Sequence, residues 1–291
     1  MEHVQIKKPL KRRKANRSPA GNLLNFLVLL LFGAFMALPL FYVVSNAFKP
    51  LDELFLFPPR ILMQNPTLGN FQSLKFLFTE SYVVFWRYLY NTVFITVVTT
   101  VGHVFISSMA AYVLEKRVFP GRKAFFNVVV LALMFSPAVT GIPNYIIMGR
   151  LGWIDSYFAL VVPALAAPLG LYLMKQFMVN IPDQILEAAK VDGAREFTVF
   201  FRIVMPNLKP AWLTLTIFSF QSLWGITGGA FIFSEQKKLL PYALSQIMSG
   251  GIARLGSGAA VSLLMLLVPI AVFVISQANI LQTMAFSGMK D

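Results

Sequence analysis

The side chains able to do chemistry are few, and their spacing does not suit catalysis. Cysteine is absent and only two histidines occur, His3 and His103, so no thiol nucleophile, disulfide framework or His-rich metal cluster can be assembled. No Asp, Glu, Lys or Arg falls in the middle of a long apolar stretch, where a pump driven by a buried carboxylate would carry one. His103, within TTVGHVFISS, is the ionisable residue deep in such a stretch; it either packs between helices or meets a solute or gate. Charged and turn-forming types gather instead in residues 179–210, VNIPDQILEAAKVDGAREFTVFFRIVMPNLKP. Pro182 and Asp183 suit the first turn of a short helix, because proline lacks a donor that the turn does not need and a carboxylate favours the N-terminal dipole. Ile185, Leu186, Ala188 and Ala189 give that helix an apolar, small-residue surface, and Gly193 supplies a turn. A second helix, about Glu196 to Val204, aligns Phe197, Phe200, Phe201 and Val204, with Pro206 and Pro210 ending it. The chemistry on offer is mechanical: an elbow that can dock into a groove of a soluble partner.

The elements that must hold this elbow are membrane spans. Of 291 residues, 57% are apolar and 13% charged, whereas a soluble domain carries about 45–50% and about 25%. Six apolar stretches reach the roughly 20 residues that a helix needs to cross the hydrocarbon core: 23–47, then about 88–114, 124–148, 157–177, 211–233 and 258–277. The first is too long for a signal-peptide core and lacks a nearby cleavage signal. The net charge of +13 is concentrated by position. Lys7, Lys8, Lys11, Arg12, Arg13, Lys14 and Arg17 precede the first span, as an anchor of topology rather than a nucleic-acid-binding arm. With the N-terminus inside, inner segments hold seventeen basic residues and outer ones eight, so both termini are expected in the cytoplasm.

The chain then divides into a basic N-terminus 1–22, a first span 23–47, an external loop 48–86, a core 87–281 with spans two to six and the elbow at 182–206, and a tail 282–291. Pro120-Gly121 reverses the chain in the inner turn EKRVFPGRK. Pro137, Gly141 and Pro143 interrupt the third span, and Pro163, Pro168 and Gly170 the fourth. Broken helices can line a translocation pathway, and membrane helices also tolerate proline and glycine without one. Pro137, Gly141, Pro143 and His103 are the candidate pathway residues. With no internal source of energy in the spans, transport is either passive or driven by a partner.

A resemblance now becomes specific. Glu187-Ala188-Ala189, Gly193, Ile203 and Met205-Pro206 fall at the spacing of the EAA loop of ATP-binding-cassette importer permeases, with methionine where the family usually has leucine. Asp192-Gly193-Ala194 and Lys209-Pro210 resemble the carbohydrate branch, Tyr90-Asn91-Thr92 resembles the family's start of the permease core, and Gln282 to Lys290 resembles the C-terminal extension of the MalG-like subunit of oligosaccharide importers. The likeness extends over residues 20–291. It implies an all-α polytopic protein of the type I importer permease fold in a bacterial cytoplasmic membrane. It implies as partners a second, MalF-like permease, two copies of a cytoplasmic ATPase and an external solute-binding protein that delivers a sugar. Glu187, Ala188, Ala189, Asp192, Gly193, Ala194, Ile203 and Pro206 would couple to the ATPase, and Ser287, Gly288, Met289 and Lys290 would touch it from the tail. The chain itself would be no enzyme and hold no cofactor; ATP and magnesium would belong to the partner.

Three rivals remain. A non-sugar solute such as glycerol phosphate fits the same fold. A secondary transporter would need an inverted repeat and a mid-membrane charge, and neither is found. A membrane scaffold that only docks an ATPase would keep residues 183–206 and need no aqueous route.

Overall fold

A computed structural model describes residues 19–79, 83–251 and 254–287, and every regular element among them is helical. In chain order these are α1 (Pro19–Phe48), α2 (Leu51–Leu54), α3 (Gly69–Thr79), α4 (Phe85–Lys116), α5 (Arg122–Ala132), α6 (Pro137–Arg150), α7 (Phe158–Leu165), α8 (Pro168–Met178), α9 (Asp183–Val191) and α10 (Glu196–Val199). A π-helical turn, Phe200–Val204, leads to α11 (Met205–Asn207), α12 (Lys209–Trp224), a 3-10 turn at Glu235–Lys237, α13 (Leu240–Met248) and α14 (Leu255–Ser287).

The second span, α4, is the hub: α7, α8 and α12 pack on it, and α14 joins α12 to α1. Its inward face is polar, with Asn91, Thr92, Thr96, Thr99, Thr100, His103, Ser107 and Ser108 buried alongside Tyr88, Ile95 and Ala111. In lipid, small and hydroxylated side chains let helices approach closely, and hydrophobic burial gives no preference for an apolar interface. The outward surfaces follow the same logic in reverse. The apolar window of α1 is 0% buried, and its Leu and Phe side chains are at home against hydrocarbon.

Two breaks have identifiable causes. Between α7 and α8, Pro168 brings no N–H and forces Ala167 into an extended conformation (ψ 125°). The carbonyl of Leu165, at the end of α7, lies 3.0 Å from Nδ1 of His103. The ring sits so close to α8 that a Cβ on Gly170 would lie 2.2 Å from its Nε2. Between α5 and α6 the axis turns by 108°, with Ser136 capping the new helix through its side chain to Ala138 N and Pro137 at the first turn.

These breaks revise the expected spans. Among the described residues four helices can cross a membrane by length and composition, and five if α5 and α6 count as one bent crossing. The third expected span is that bent pair rather than one rod. The fifth, expected over 211–233, is α12, which ends at Trp224 with 16 residues. Gly225, Gly228 (φ +66°) and Gly229 turn the chain there, although Ile226, Phe231 and Ile232 kept the local composition apolar. Pro206 and Pro210 do not stop the elbow's second helix: each occupies a first-turn position, so helical turns run almost unbroken from Glu196 into α12. The last helix likewise continues past Gln277 to Ser287, and the loop at 48–86 contains α2 and α3.

Candidate functional site

The elbow forms where α8 gives way to α9. Asp192 N–H donates to Ala188 O, Gly193 N–H to Lys190 O (2.9 Å) and Ala194 N–H to Ala189 O (2.9 Å), while Gly193 takes φ +80°. This is a Schellman ending, which satisfies the last carbonyls of α9 and requires a left-handed residue where glycine stands. The chain then reverses into α10. Leu186 is buried, and Ala189, Ala194 and Ile203 pack on a core of Ala111, Tyr112, Met174, Met178, Val199, Phe200, Val204, Leu208, Ala211 and Leu215. The elbow is therefore fused to α4, α8 and α12, and moves with them.

Charge reinforces the join. Lys116 at the end of α4 donates to Asp183 Oδ1 (2.8 Å) and to Ile181 O (2.6 Å), tying the entry to α9. Glu196, at the start of α10, gathers Arg117, Lys190 (3.4 Å) and the Tyr112 hydroxyl (3.0 Å). Arg117 above all holds the Glu196 carboxyl down to about 2. Glu115 pairs with Lys175 (2.8 Å) and Arg122 (3.1 Å), linking α4, α8 and α5. Sequence reasoning assigned no role to Tyr112, Lys116, Arg117 or Glu196. The signal was present as the basic run Lys116-Arg117 facing an acidic residue at the start of each elbow helix.

The opposite face of the elbow is exposed. Ile185 (47% exposed), Ala188 and Val191 (88% exposed) share one side of α9 at three-residue spacing. Glu187, Asp192 and Gly193 are exposed with them, and Glu187 forms no ion pair among the described residues. Ala188 and Ala189, a pair in sequence, thus diverge: Ala188 is exposed, and the half-buried Ala189 packs against the core. Pro206 is exposed, and Phe197 and Phe201 stand largely exposed beside the buried Phe200.

The other candidate residues are dispersed. Pro137, Gly141 and Pro143 lie exposed along α6, whereas His103 is buried against the α7–α8 break. Ser287 ends α14, and Gly288, Met289 and Lys290 lie outside the described residues, as does His3. Among the described residues no group of three or more His, Asp or Glu could hold a metal ion.

At the far end of α4 the Asn91-Thr92 pair has a concrete task. Asn91 Nδ2 donates to the carbonyls of Gln236 (2.9 Å) and Lys238 (3.0 Å), and Thr92 Oγ1 accepts from Leu240 N–H (2.8 Å). Asp155, with φ +58°, holds the same loop from the other side: its carboxylate accepts from Phe233 N–H, Ser234 N–H and Lys237 Nζ (2.9 Å). Hydrogen bonds from Ser234 and then Lys237 push its carboxyl well below the usual carboxylate range. The loop 228–240 is clamped between the start of α4 and the α6–α7 connection, a role that sequence reasoning did not assign to Asp155.

Residues 103–285 match the model of the binding-protein-dependent transport system inner membrane component family. The chain belongs to this family. The permease is 30% identical over 238 residues to the polygalacturonan/rhamnogalacturonan transport system permease protein YtcP of Bacillus subtilis, covering 79% of this chain and 81% of the relative. It is 31% identical over 200 residues to the arabinooligosaccharides transport system permease protein AraQ of Halalkalibacterium halodurans, covering 66% and 69%. A chain in the crystal structure of a bacterial ABC transporter involved in the import of alginate superposes with a TM-score of 0.76 at 20% identity, covering 90% of this permease and 98% of that chain. That likeness shows the fold, a type I importer permease. The matched region contains the whole elbow, α12 and nearly all of α14.

Proposed function

We propose that this permease is one membrane half of an ATP-driven importer for an oligosaccharide. In this reading its termini lie in the cytoplasm, and α12, with the helical turns that lead into it, completes a sixth crossing. A second, related permease faces it, two ATPase subunits bind beneath, and a solute-binding protein delivers the sugar from outside. ATP and magnesium are held by the ATPase; this chain contributes no bond chemistry. The carrying observation is the two-faced elbow: one side welded to α4, α8 and α12, the other presenting Ile185, Ala188 and Val191 beside an exposed Glu187.

The mechanism follows from that asymmetry. Closure of the ATPase pair displaces the groove that holds α9. Lys116–Asp183 and the cluster around Glu196 pass the displacement to α4, and the shared core passes it to α8 and α12. Because packed interiors are stiff, the helices move as a body rather than absorb the shift. Alternating access follows, and hydrolysis resets the cycle. α6, beyond the bend from α5 and with Pro137, Gly141 and Pro143 on an exposed surface, borders the route, and the end of α14 from Ser287 onward reaches the ATPase.

The carbohydrate assignment is supported by relatives whose names specify polygalacturonan, rhamnogalacturonan and arabinooligosaccharide transport. It is tested by ATP hydrolysis of the reconstituted complex, with its binding protein loaded in turn with acidic oligosaccharides, neutral oligosaccharides and glycerol phosphate. Stimulation by one oligosaccharide class, with matching uptake into vesicles, is expected. Stimulation by glycerol phosphate alone would replace the sugar assignment. ATPase activity indifferent to every solute, without uptake, would leave only the scaffold reading.

A further inference from the structure

The turn between α4 and α5 borders a cavity of about 660 Å³ that the coupling elbow does not use. Its walls divide by chemistry. Val118, Phe119, Ala124 and Phe126 make an apolar side, while Arg122, Lys123 and Lys175 stand around it. Lys175 is anchored by Glu115 (2.8 Å) and by the Phe126 ring, whose centroid is 4.3 Å from Nζ. Phe126 is in turn stacked on Tyr172, so this wall is pre-formed. Glu115 also takes Arg122, which leaves one carboxylate to offset three cations. Lys123 is exposed and forms no ion pair among the described residues. The first turn of α5, from Arg122, lines the same space and adds the positive end of its dipole.

The position decides what such a site meets. The apolar run of α4 ends at Leu114 and that of α5 begins at Ala124, so the cations sit at the level where hydrocarbon gives way to water. We propose that this cavity binds an anionic phospholipid: its phosphate lies among Arg122, Lys123 and Lys175, and its glycerol backbone and upper acyl chain lie along Phe119, Ala124 and Phe126. An apolar wall beside a net positive rim complements an anionic amphiphile, whereas a small soluble anion would use only the rim. The proposal rests on the membrane-spanning reading and on no assumption about the transported solute. Its consequence is that the α4–α5 turn, which shares Glu115 with α8, is held by lipid close to the coupling elbow.

The test is native mass spectrometry of the purified importer complex released from nanodiscs containing phosphatidylglycerol and phosphatidylcholine in equal parts. Phosphatidylglycerol should be retained on this subunit in preference to phosphatidylcholine. Lys123→Gln, which breaks no described ion pair, should lower that retention about fivefold, the effect of one cation near an anionic headgroup. Lys175→Arg should keep it. Equal retention of the two lipids, or no change in Lys123→Gln, overturns the proposal. Displacement of the lipid by inorganic phosphate alone would assign the rim to a free anion. A photo-crosslinker at Asn127 that captures the ATPase polypeptide instead of lipid would show a protein-covered surface; either result also overturns it. None of these readouts depends on uptake, so a failed sugar assignment would leave the result interpretable.

Discussion

At Gly170 a Cβ would meet His103 Nε2 at 2.2 Å and Ser107 Oγ at 2.5 Å, so Gly170→Ala must push α8 off α4. Overpacking of this kind costs about 1–3 kcal/mol, and a lower thermal midpoint of the purified complex is the expected outcome. Gly141 has nothing within 4 Å of its would-be Cβ. Gly141→Ala should leave that midpoint unchanged or raise it, since alanine favours a helix over glycine by about 1 kcal/mol. Two glycines in apolar sequence thus differ in a way that only the neighbouring helix reveals. The sequence marked His103 as a packing group or a solute contact; its bond to the Leu165 carbonyl depends on a break in a helix sixty residues away. Asp155 was invisible for the same reason. Asp155→Asn tolerates the left-handed backbone but weakens the hold on Lys237 and two loop amides, so amides of residues 228–238 should exchange hydrogen faster.

The elbow was the most legible element, because its parts are local. Gly193 announced the turn, the EAA spacing placed the helix, and the structure adds that Ala188 and Ala189 part company across it. What the sequence could not show is where the elbow's charges end up, since Lys116, Arg117 and Tyr112 come from a helix distant in the chain. Those charges fix a pH response. The Glu196 carboxyl is depressed to about 2 from 4.5. Its stabilising contribution is therefore complete above its ordinary value and is lost as the pH falls through the folded one. Protection of the amides in 183–199 should stay constant from about pH 8 to about pH 5, then decline on further acidification toward about pH 2. Glu196→Gln should lower protection throughout and abolish the decline. Gly193→Ala, forcing alanine to φ +80°, should cost about 1 kcal/mol and reduce ATP-coupled uptake more than complex assembly.

For the whole molecule, composition alone identified a membrane protein, and the apolar runs located the principal helices. Their ends and bends were less legible. Apolar composition runs straight through the α5–α6 bend and past Trp224, because lipid-facing helix, kink and buried loop all use the same side chains. The absence of cysteine gives a clean route to the mechanism. A single Val191→Cys, on the exposed face of α9, can be joined by a thiol–amine reagent to lysines of the ATPase in the assembled importer. Crosslinking to that subunit should be efficient and should leave the complex intact, because α9 travels with the groove that holds it. No crosslink to the ATPase at all would contradict the assignment of this elbow as the transmission element.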